Sequence, residues 1–132
     1  MSRVHLIVQW LGPFPPWMPC FLASCAPIRS VRWLIFHDEP APTNPPANVE
    51  FIPMPAQAFR ERVRSRLGIE PPEKLGYKLC DFKVCLGELF EEFLGDAEYF
   101  GWTDLDLVYG DVDRFLAPLL GPWDVLSFHG GL

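Results

Sequence analysis

Apolar positions along this chain come in short blocks, and the spacing within a block changes from one block to the next. "RVHLIVQW" and "VRWLIFHDE" are nearly continuous apolar runs, rich in β-branched residues. They predict buried strands over residues 3–10 and 31–37. "NVEFIPM" alternates and predicts a third strand over 49–53; "YFGWTDLDLVYG" predicts a fourth over 99–105 and "WDVLSF" a fifth over 124–128. Between the strands the period lengthens. "WMPCFLASCA" reads as a short helix, and "PAQAFRERVRSRLG" opens on proline and closes on glycine, as helices do. In "YKLCDFKVCLGELFEEFLG", Leu79, Phe82, Leu86, Leu89, Phe90 and Phe93 fall on one stripe at spacings of three and four. That stripe predicts an amphipathic helix near 78–94, the longest or second longest of the chain. "DVDRFLAPLLG" predicts a short helix opened by carboxylates. Strands alternating with helices predict an α/β domain, with a mostly parallel, Rossmann-like sheet flanked by helices.

This order of elements locates the chemistry. In a parallel sheet, ligands bind beyond the carboxyl ends of the strands. The fourth strand runs out into "DLDLVYGDVD", which carries two aspartate-x-aspartate pairs. On an extended chain Asp104 and Asp106 point the same way, and Leu105 and Leu107 pack inward. Two close carboxylates repel unless they are solvated, protonated or bridged by a cation, and Mg2+ or Mn2+ shares such a site with substrate phosphates. The second pair, Asp111 and Asp113, begins a helix, where carboxylates cap free N–H groups; that pair reads as structural.

Composition narrows the partners. The chain has 132 residues, 49% hydrophobic and 14% aromatic, enough for one domain with a modest core. A net charge of -6 argues against nucleic acid and anionic membranes, because an acidic surface releases no counterions there. Fifteen prolines cluster in "GPFPPWMPC", "EPAPTNPPANVEFIPMP" and "EPPE" and mark loops between elements. The N-terminal apolar run is short, is interrupted by Gln9 and meets prolines before Ala23, which disfavours a signal peptide. No run approaches the roughly 20 apolar residues of a membrane span. A soluble, cytoplasmic protein is the expectation. Cys20, Cys25, Cys80 and Cys85 form two C-x4-C pairs. Cys80 and Cys85 would stand about 140° apart on a helix, so buried free cysteines are expected rather than a zinc site.

"YKLCDFKVCLGELFEEFL" followed by "YFGWTDLDLVYGDV" resembles a family of bacterial glycosyltransferases found among capsule and surface-polysaccharide genes. That family carries a Y-K-L-C-D-F-K-P segment on a helix, then an aromatic strand ending in D-x-D. The resemblance covers most of the chain and implies a GT-A-type fold over residues 1–132. It implies a nucleotide-sugar donor, a carbohydrate acceptor and a Mn2+ or Mg2+ ion. Asp106 would coordinate the metal, and Asp104 would share it or lie near the ribose. Tyr77, Lys78, Asp81 and Lys83 match the helix motif, and a lysine there would hold phosphate, unless Lys78 and Asp81 simply pair with each other. Trp10 would stack on a base or pack at the strand end, and Asp38 would bond a ribose or start a loop.

The chain departs from that pattern. Val84 replaces a proline, and Gln9 and Trp10 replace polar and small residues at the end of the first strand. The resemblance reaches only the donor-binding half, so the expectation is a truncated domain completed by a second copy or another chain. A metal ligand from His129 is an alternative to simple exposure. A non-catalytic remnant is a second reading. A phosphatase of the haloacid dehalogenase type, whose nucleophile motif also reads D-x-D-x-[TV], is a third. An EF-hand is excluded, because Tyr109 stands where the loop glycine must be.

Overall fold

The computed structural model describes residues 3–127. Strands β1 (Val4–Trp10), β2 (Val31–His37), β3 (Val49–Pro53) and β4 (Tyr99–Trp102) form one sheet in the order β3-β2-β1-β4. Every neighbouring pair is parallel. The architecture is therefore the Rossmann-like α/β sheet that the alternating blocks predict. The first three strands fall where the apolar runs place them. β4 is shorter than expected and ends before the D-x-D. Residues 124–127 form no strand, and Phe128, the last position of the predicted fifth strand, and His129 lie outside the described residues.

Helices cover both faces. On one face α1 (Met18–Cys25) and the short α5 (Val112–Leu116) lie over Val4, Val8, Trp33 and Ile35. On the other, α2 (Ala56–Leu67) and the segment after it lie over Ile7, Leu34 and Phe36. α2 starts after Pro55 and stops at Gly68, whose φ of 65° closes it in the left-handed conformation that glycine adopts freely.

The expected long helix over 78–94 is broken. Residues Gly76–Cys85 wind as a 3-10 helix, followed by the single turns α3 (Leu86–Leu89) and α4 (Glu91–Leu94). The apolar stripe survives the change of winding: Phe82, Leu86, Leu89 and Phe90 are buried. A 3-10 helix eclipses side chains three apart, so Leu79 and Phe82 still share a face. Two weak helix formers, Val84 and Gly87, sit where the winding changes. Gly87 has a packing reason: a Cβ there would meet Phe100 of β4 at 2.3 Å.

The cysteines are free, as expected, but only Cys25 is buried; Cys85 is half-buried, and Cys20 and Cys80 are exposed. Met18, Phe21 and Cys25 form the inward stripe of α1, and Cys20 lies off it. Cys80 likewise lies off the stripe of Leu79 and Phe82.

Candidate functional site

The sheet order reverses direction at β1: the chain first grows outward through β2 and β3, then returns to β4 on the other side. At such a switch point the connections leave in opposite directions and open a crevice beyond the carboxyl ends of the two strands. A cleft of about 270 Å³ lies there. Its walls are the ends of β1 (Ile7 to Leu11) and β4 (Trp102 to Asp104) and one side of the 3-10 helix, including Leu79, Cys80, Lys83 and Leu86. It lies near the lower end of ligand-pocket volumes, roughly 300 Å³. A second hollow, at Arg62, Arg66 and Glu92 on the outside of α2, offers no unpaired cation, since both arginines are bonded to Glu92.

The D-x-D turn follows β4 directly. Thr103 N–H still donates to Ile7 O at 3.2 Å, continuing the ladder by one residue. The strand alternation then fails, which corrects one expectation. Leu105 is buried to 1% exposure, whereas Leu107 is 43% exposed, because the chain bends after Thr103. Asp104 and Asp106 are both exposed on either side of the buried leucine.

Several contacts fix this turn. Leu105 anchors its side chain in the core, and its carbonyl accepts the Trp17 indole N–H at 2.8 Å. The Tyr109 hydroxyl meets Thr103 Oγ1 at 2.6 Å and accepts Trp33 Nε1–H at 3.3 Å. Burial pushes the Tyr109 phenol above its usual range, against the opposing pull of those two hydrogen bonds. Across the cleft, Lys83 Nζ donates to Asp104 Oδ1 at 2.7 Å. That hydrogen bond holds the lysine's pKa above its ordinary value, desolvation opposing it.

Of the residues that sequence singled out, Asp104, Lys83, Trp10 and Tyr77 line the cleft. Trp10 is half-buried and its indole N–H donates to Pro13 O at 2.9 Å, so its ring packs at the strand end. Lys78 and Asp81 pair with each other at 3.4 Å on the outer side of the 3-10 helix and are absent from the cleft wall. Asp38 is a loop-start residue whose carboxylate accepts Gly12 N–H at 2.7 Å and ties two strand-end loops together. Asp106 stands just past the wall. Asp111 caps α5 by accepting Arg114 N–H at 3.0 Å. Asp113 accepts the N–H groups of Arg29 and Ser30 at 2.8 to 3.1 Å, so this pair is structural. Sequence reasoning missed Trp17, which lies 88 positions from its partner and carries no local signal. It noted Gln9 as a polar break in an apolar strand without giving it a role.

The residues present suit a metal in one manner. Among the described residues no group of three or more His, Cys, Asp or Glu side chains could enclose an ion. Two exposed carboxylates fit Mg2+ or Mn2+, which bind through one or two carboxylates and take their other ligands from water and phosphate. They do not fit a zinc site closed by protein ligands. No described helix is long and apolar enough to cross a membrane.

Compared with known protein families, the chain matches one over residues 6–131, described as a family of unknown function, DUF6625. No curated protein and no solved structure matches it.

Proposed function

The chain belongs to the DUF6625 family, which brings no activity with it, and we propose that its cleft binds a nucleotide-diphosphate sugar as part of a glycosyltransferase. The observation that carries this reading is the cleft at the β1/β4 switch point, rimmed by Lys83 and the D-x-D turn. The resemblance in "YKLCDFK" and "DLD" supports it. Asp106 and Asp104 hold the divalent ion. When bound, that ion neutralises the diphosphate and assists departure of the nucleoside diphosphate as a Lewis acid. Lys83 exchanges Asp104 for a donor phosphate oxygen, since an exposed ion pair holds its partners by only about 0–1 kcal/mol. Ile7 and Leu86, both buried, give the inner part of the cleft an apolar wall.

Transfer also needs a positioned acceptor and usually a base. We assign those to a second copy or another chain that covers the outer edge of β4, where Phe100 and Trp102 are half-exposed. The protein works in the cytoplasm on this reading. The phosphatase alternative is weaker, because its D-x-D follows the first strand of the chain, whereas here it follows the fourth, β4.

The test is thermal unfolding with Mn2+ and uridine or guanosine diphosphate. Binding to the folded state alone raises the melting temperature by mass action. Asp106→Asn removes that rise and Asp113→Asn keeps most of it. No rise with either nucleotide, or equal loss from both substitutions, overturns the reading.

A further inference from the structure

Gln9 lies on β1 between Ile7 and Leu11, in the wall of the cleft. Its Nε2 and Oε1 are both buried without a hydrogen-bond partner. Among the described residues, Gln9 is the one side chain with separate donor and acceptor atoms that are both buried and unpaired. Buried polar groups are almost always paired, and an unpaired one calls for an explanation. None of the polar residues that share the cleft wall, Lys83, Thr103 and Asp104 among them, bonds to it, and Ile7, Leu11 and Leu86 in that wall are apolar. A leucine or methionine would satisfy this position in a strand whose other residues, His5 apart, are apolar. The amide is therefore placed for a partner that comes from outside.

The chemistry of that partner follows from the amide. A carboxamide offers one acceptor beside one donor in a plane, and its complement is a flat group with N–H beside C=O. We propose that Gln9 reads the ring amide of a nucleobase such as uracil or guanine through two hydrogen bonds at the apolar end of the cleft. The anionic end of the ligand then lies toward Lys83 at the rim. This deepens the donor-site reading and rests on it for the orientation, while the ring contact is carried by Gln9 alone.

Calorimetry with uridine, uridine diphosphate, guanosine diphosphate and pyrophosphate, the last three with Mn2+, tests it on the wild type and on Gln9→Leu, Gln9→Met and Gln9→Glu. Loss of two net hydrogen bonds weakens nucleotide binding by about tenfold or more in Gln9→Leu and Gln9→Met, and leaves pyrophosphate unchanged. Both apolar variants melt at or above the wild-type temperature, because they remove an unsatisfied amide. Gln9→Glu accepts only, so it keeps guanosine diphosphate, whose ring offers two adjacent donors, and loses uridine diphosphate. If Gln9→Leu binds both nucleotides as the wild type does, the ring contact is refuted and the donor site stands. If uridine binds through Gln9 while pyrophosphate and Mn2+ do not bind, the ring contact stands and the diphosphate reading falls. If none of the four probes binds the wild type, both are refuted. A fall in melting temperature in both apolar variants means that the amide is satisfied within the fold, and this also overturns the inference.

Discussion

Gly87→Ala should destabilise the protein, and removing Phe100 should reverse the sign. Gly87 is buried in α3 with the Phe100 ring against it, and an added Cβ would lie 2.3 Å from the ring. Ordinary contact begins near 3.4 Å, so the ring must retreat by about 1.1 Å. Overpacking of this kind costs about 1–3 kcal/mol. Phe100 is 51% exposed, so it has somewhere to go, and the lower half of that range applies. Alanine is also favoured over glycine within a helix by about 1 kcal/mol. The net is a loss of up to about 1 kcal/mol, or up to about 4 °C in melting temperature for a domain of this size. In a Phe100→Ala background the clash is gone, and Gly87→Ala becomes stabilising by about 0.5–1 kcal/mol. Urea unfolding of the four proteins in a double-mutant cycle measures both terms. If Gly87→Ala has the same sign in both backgrounds, the close approach of α3 to β4 is not what requires glycine.

Three further outcomes follow from the site's supports. Hydrogen bonds from Ser30 and Arg29 outweigh the cost of burial and hold the Asp113 carboxyl below its usual 3.8. Asp113→Ala should therefore cost about 1–3 kcal/mol at neutral pH. The gap from the wild type should close as pH falls through the lowered folded-state pKa, and acid unfolding of the pair checks it. Burial, opposed by Ser24, pushes the Cys25 thiol up to about 12. Thiol labelling followed by mass spectrometry should mark exposed Cys20 and Cys80 first and Cys25 only on unfolding; early labelling of Cys25 would contradict its burial. Trp17→Phe keeps an aromatic ring, though a smaller one, but removes the donor to Leu105 O, costing about 0.5–1.5 kcal/mol. It should also weaken Mn2+ and nucleotide binding without touching either; unchanged affinity would mean that the turn needs no such anchor.

The parallel sheet was legible because its strands are buried on both faces, and burial writes itself as continuous apolar runs such as "HLIVQW" and "WLIF". The apolar stripe from Leu79 to Phe93 was legible for the same reason, but its winding was not. A 3-10 turn and an α-turn bury nearly the same positions, so the apolar pattern does not distinguish them. The D-x-D was found, and so was the structural role of Asp111 and Asp113. Where the carboxylates point depended on β4 stopping at Trp102, set by its pairing with only Val4 to Ile7. The expected fifth strand rested on the apolar residues of "WDVLSF", yet Val125 is 79% exposed, so the run met no sheet face to bury against. Long-range anchors such as Trp17 leave no periodic trace.

The sheet is assembled in an order that the chain itself dictates as it leaves the ribosome. β1, β2 and β3 lie within the first 53 residues, and β1 and β2 register over seven residue pairs. That half can zip together while the rest is still being made. β4 arrives some 46 residues later and adds only four pairs along β1. The cleft lacks its β4 wall until then, and the newborn chain spends that interval with the β1 edge bare. The cleft is thus completed late in synthesis, and local opening of β4 would be the first step by which it is lost.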